Sequence, residues 1–162
     1  MSSLSNIVSL RKQLEATYQN TVNEFNLTRL RIQDYSALII QWDARQAQAT
    51  TAQSGVKDQE ALNDLAALAV TAADYVQVYR SALGEAQTRE GILRETLEKM
   101  SNTLYSLTSF ENRHNLEKDL AKVSSDTQPA DSALSANENR EIAKMLYTAK
   151  ALIELKEEQP KW

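Results

Sequence analysis

Apolar residues recur along the N-terminal third of the chain at alternating steps of three and four. Leu4, Ile7, Leu14, Tyr18, Phe25, Ile32, Tyr35, Ile39 and Trp42 hold the pattern, and Arg11, Thr21 and Thr28 are its polar members. This is heptad spacing, and it predicts one long amphipathic helix with a coiled-coil-like seam. No Gly or Pro precedes Gly55, so local chemistry does not interrupt it. A turn is predicted near 53–56, where Gly55 suits the left-handed conformation that ends many helices; the alternative is one continuous helix through it.

A second series follows the turn. Leu62, Leu65, Ala69, Ala72, Val76, Tyr79 and Leu83 continue through Ala86, Leu93, Leu97, Met100, Leu104 and Leu107, with Glu90 the charged exception. A flanking row of Ala61, Leu68, Tyr75 and Ala82 widens the apolar face near the turn. A wide face suits packing against two neighbours. The first seam is bulky and aromatic and the second is Leu/Ala-rich, which predicts large side chains facing small ones. Arg11 and Glu90 both fall toward the open end of such a hairpin, where they either pair or reach water at a frayed end.

The phase changes after Leu107. Leu116, Leu120 and Val123 form a new stripe, which predicts a fresh start or a bend between Ser109 and Asn115. Residues 124–134 read as a linker around Pro129. A last helix is predicted over 135–159. Ser135-Ala136-Asn137-Glu138 fits a capping box, and Pro160 stops the helix. Its apolar face is Ile142, Met145, Leu146, Ala149, Leu152 and Ile153. The fold class is therefore all-α: an elongated antiparallel helical hairpin over 1–123, then a third, shorter C-terminal helix. That helix is expected on the wide end of the hairpin or on another chain.

Composition agrees with this picture. The 162 residues include only three Gly and two Pro, fewer turn formers than a β-rich domain of this length needs. The formal net charge of −4 argues against nucleic acid, which wants a strong positive field. There is no Cys, which removes disulfides, thiolate chemistry and Cys-ligated metals. No long uncharged apolar run and no signal-like N-terminus occur, so a cytoplasmic, soluble protein is the expectation.

The chemical motifs are sparse. Glu111 and His114 have the Glu-x-x-His spacing of di-metal bundles, but such sites need a second pair and further carboxylates. Ser9-Leu10-Arg11-Lys12 has the Ser-x-x-Lys spacing without its companion motifs. Gly55, Gly84 and Gly91 are isolated, so there is no phosphate loop. The aromatics fall on or beside the seams and read as core. No catalytic residue, metal ligand, cofactor or small-molecule substrate is expected.

One surplus remains. Leu27, Leu30, Ala37 and Ile40 lie off the first seam, and a two-helix hairpin leaves them bare. Exposed apolar area often marks an interface. With Ile142, Leu146 and Ile153 of the last helix, they are the candidate interface residues. The expected function is a non-enzymatic structural or adaptor role in protein–protein assembly. The partner is another protein or a second copy. The alternatives are a membrane-surface or secretion-linked helical protein and an accessory factor for nucleic acid.

Overall fold

The computed structural model describes residues 3–123 and 136–158, with side chains over 5–117 and 140–156. Three helices account for them: α1 (Ser3–Gln53), α2 (Gln59–Val123) and α3 (Ala136–Glu158). The fold is all-α, a helical hairpin of two long helices with a shorter third. No described helix is long and apolar enough to cross a membrane. The linker at 124–134, the residues Ser135 and Pro160, and the side chains of Leu4, Leu120, Val123 and Glu138 lie outside the described residues.

The turn is tight and needs no left-handed residue. Among the described residues no backbone takes a positive φ, Gly55 included. The amides of Ser54, Gly55 and Val56 instead donate to the carbonyls of Thr51, Ala52 and Gln53, each three residues back. These bonds tighten the last turn of α1 and satisfy its orphan carbonyls. A Cβ on Gly55 would meet only the Ala52 carbonyl oxygen at 3.9 Å. The αL expectation for Gly55 is therefore corrected. On the far side, the Leu62 amide donates to the Asp58 carbonyl at 3.0 Å and opens α2. Glu60 sits favourably in its first turn.

The chain divides into two compact units: Met1–Asn23 with Arg94–Trp162, and Glu24–Leu93. The first contains three helical segments. Ile7 and Leu14 of α1, Met100, Leu107 and Phe110 of α2, and Ile142, Ala149 and Leu152 of α3 form one buried cluster. Tyr18, Leu104, Met145, Leu146 and Ile153 pack against it. So α3 lies on the open end of the hairpin and not on the wide end near Gly55. The same packing explains the phase change. α2 runs unbroken to Val123, so no new helix starts between Ser109 and Asn115. Its apolar stripe turns toward α3 through Phe110 instead.

The second unit is a two-helix layer. Its buried residues are mostly small: Thr28, Ala49, Ala72, Val76 and Ala86, with Leu93 the largest. Threonines fit these seams because their hydroxyls are satisfied within the helix. In the second unit Thr28 donates to the Glu24 carbonyl at 2.8 Å. In the first, Thr21 donates to the Thr17 carbonyl at 2.7 Å. The methyl is then left to pack. Large does not simply face small here. Trp42 stacks on Tyr75 with ring centroids 4.5 Å apart, and Tyr35 lies 6.3 Å from Tyr79.

These environments predict opposite effects of alanine. Leu107→Ala removes a fully buried side chain and should cost about 2–5 kcal/mol in urea unfolding. Gly84 and Gly91 are exposed helical residues with open space where a Cβ would sit. Alanine at either should add about 0.5–1 kcal/mol. A loss of stability at Gly84 or Gly91 would mean that something else occupies that space.

Candidate protein interface

In Glu24–Leu93 each long helix has one neighbour, so each buries a strip and leaves a flank in water. Leu27, Leu68, Tyr75, Val78 and Ile92 are between 43% and 61% exposed. Helical spacing places them on one side of the layer. On α2, Leu68, Tyr75 and Val78 follow at steps of seven and three, and Ile92 lies two heptads beyond Val78. On α1, Leu27 leads through Asp34 and Leu38 to Trp42 at steps of seven, four and four.

Trp42 and Tyr75 join the two flanks. Their rings stack at 26°, and the Tyr79 ring lies 6.2 Å beyond Tyr75. The Arg45 guanidinium lies 4.4 Å from the Trp42 ring centre, a cation–π distance. Glu24 forms an ion pair with Arg89 next to this side, three residues before Leu27 and three before Ile92. The result is a ridge of aromatic rings between two apolar edges, rimmed by charge.

The sequence-derived candidates divide. Leu27 lies on this open side. Leu30, Ala37 and Ile40 are also exposed, Ile40 to 71%, but they point away from the seam on the back of α1. Leu30, three residues on, adjoins Leu27 on the helix surface, and Ile40 lies farther round. Ile142 is buried in the first unit, and Leu146 and Ile153 pack against the same core. Those three are occupied within the chain. Sequence reasoning missed Val78 and Ile92. Their signal was the heptad run Val78, Glu85, Ile92 beside the main seam, which reads as polar because Glu85 sits in its centre.

The chemical candidates are spread apart or engaged. Glu111 is taken by Arg11, whose Nε donates to it at 2.5 Å, and a second Arg11 nitrogen reaches Glu15 at 2.8 Å. Arg11 thus pairs with Glu111 and not with Glu90, because antiparallel packing brings residues well beyond Glu90 level with it. His114 stacks against Phe110 with ring centroids 6.3 Å apart, and the Arg113 guanidinium lies 5.4 Å from the Phe110 ring centre. Among the described residues no three His, Cys, Asp or Glu side chains converge as metal ligands. Ser9 and Lys12 are exposed on α1. A shallow groove between α2 and α3 is lined by Tyr105, Phe110, Arg113, Glu141, Lys144 and Met145. Ser106, also at its edge, donates its hydroxyl to the Asn102 carbonyl of its own helix.

The hydrogen bond to Glu111, ahead of the desolvation that opposes it, holds the Arg11 guanidinium above its ordinary value. That contribution is complete below the unfolded-state value of arginine and is lost only as pH climbs through the folded one. It is in place throughout the neutral range.

Comparison with protein families, curated proteins and solved structures finds no match for the chain.

Both side chains of the Arg11–Glu111 pair are 18% exposed. Glu111→Gln should therefore lower stability by about 1–3 kcal/mol. The check is the urea midpoint at neutral pH; an unchanged midpoint would mean the pair is solvated and idle.

Proposed function

We propose that this chain is a non-enzymatic structural or adaptor protein that joins protein chains through the faces of its helices. One observation carries the reading: the two-helix unit keeps an apolar and aromatic side open, with Leu27, Tyr75, Val78 and Ile92 all substantially exposed. Surfaces of this kind on monomeric proteins are small unless they bind something. Aromatic residues at the centre with charge at the rim is the anatomy of a protein–protein interface. A lipid surface is the poorer fit, because helices that lie on membranes carry Lys and Arg on the polar face. Here Asp74 and Glu85 stand beside the apolar residues of α2.

The test is a photo-crosslinking amino acid at Val78, introduced in the cells that make the protein. Discrete protein adducts of fixed mass are expected at this position, with none from Glu98, an exposed control residue. Adducts to lipid alone, or no adduct at Val78, would overturn the reading.

A further inference from the structure

We infer that the open side of Glu24–Leu93 is covered by the same side of a second copy, with α1 of each copy lying antiparallel on α2 of the other. The inference rests on the assembly reading above and names its partner and its register.

The argument starts from the two outer rows that border the Trp42–Tyr75 stack. On α1 the row is Leu27, Asp34, Leu38 and Arg45, at steps of seven, four and seven. On α2 it is Ala67, Asp74, Val78, Glu85 and Ile92, at steps of seven, four, seven and seven. At about 3.6 residues per turn each row keeps to one edge of its helix. Trp42 lies between Leu38 and Arg45, and Tyr75 between Asp74 and Val78, so their stack marks the side the rows share. The Glu24–Arg89 pair marks it again. The Asp43–Arg80 pair belongs to the opposite side.

The same contacts set the level of one helix against the other. Trp42 stands by Tyr75, Tyr35 by Tyr79, and Glu24 by Arg89. On that scale, to within about one helical turn, Leu38 is level with Val78, Arg45 with Asp74 and Arg31 with Glu85, while Leu27 and Ile92 fall on opposite sides of the Glu24–Arg89 pair. A two-fold axis parallel to the helices preserves every level while laying α1 of one copy over α2 of the other. Apolar then meets apolar at Leu38–Val78. Arg45 meets Asp74, and Arg31 stands at the level of Glu85, so opposite charges face each other at both places.

The alternative two-fold, perpendicular to the helices, sets α2 against α2. It also sets α1 against α1, so Arg45 of one copy never reaches Asp74 of the other. The Arg45–Asp74 and Arg31–Glu85 matches therefore belong to the parallel axis alone. The product is an antiparallel four-helix layer in which the exposed aromatic ridge becomes its core. Each copy brings the same surface, so the contact closes on itself and stops at two chains.

The test is sedimentation velocity on the full chain. The wild type is expected to be dimeric at micromolar concentration. Arg45→Glu and Asp74→Arg alone should each weaken the dimer by roughly tenfold or more, with helical content by circular dichroism unchanged because both side chains are exposed. An equimolar mixture of the two variants should restore the dimer, since each new charge finds its opposite on the other chain. An ion pair confined within one chain would not be rescued by mixing. A wild type that stays monomeric at high concentration, or a mixture that stays monomeric, overturns the inference. If the wild type is monomeric yet Val78 still gives protein adducts, the assembly reading stands and only the second copy is ruled out.

Discussion

A helix beside a single neighbour can bury only a strip of its surface. That constraint separates the two units of this chain. Where α3 joins the long helices, large side chains such as Ile7, Leu14, Met100 and Leu107 are fully buried. Where α1 and α2 have only each other, the buried positions are mostly Thr, Ala and Val, with Leu93 the largest, and Leu, Val and Tyr on the flanks stay wet. The amino acids of the two regions are similar in kind. What differs is the number of neighbours, and with it the area each side chain removes from water.

Polar groups inside the seams follow from the same geometry. An apolar seam offers a hydroxyl no polar partner across it, so Thr21, Thr28 and Thr103 return their hydroxyls to carbonyls of their own helix. Charged groups in the seams are paired across helices: Arg11 with Glu111 in one unit, Arg89 with Glu24 in the other. Such pairs contribute little net stability once desolvation is counted, but a partner left alone is costly. Their effect is to penalise a slipped register. In heptad seams rich in Ala and Leu, where neighbouring registers pack almost equally well, that penalty has consequences for which surface faces outward.

The helices and their seams were legible in the sequence because heptad spacing survives without tertiary knowledge. Ile7, Leu14, Ala72, Ala86, Leu93, Met100 and Leu107 all fall on the seams that spacing predicts, and all are buried. What required the structure was everything decided by a third neighbour or by level. The stripe change after Leu107 suggested a fresh start or a bend, but one continuous helix carries it once α3 supplies a partner for Phe110. Arg11 had several acids in reach of a hairpin; only the actual level chooses Glu111. Gly55 is permissive, and permissiveness does not mean that a left-handed φ is used. The outer row of α2 was hidden by Glu85 and Asp74, which dilute the hydropathy of a stripe whose spacing is regular.

Those two acids also make sense of the row. An open apolar edge invites indiscriminate association, and charges set within it restrict what can dock. On the inferred contact, Asp74 and Glu85 on α2 would repel an acidic edge and Arg45 on α1 would attract one. Neither the apolar positions nor the charges would suffice alone: the first supply area without choice, the second choice without area. α1 and α2 run through both units, so the closed three-helix core and the open layer share the same two helices. Helix propagation costs little once a helix is nucleated and held by packing. Burial at Ile7, Leu14 and Leu107 therefore supports helical turns that continue into a region unable to bury its own flanks, and the layer can stay folded with an apolar side exposed.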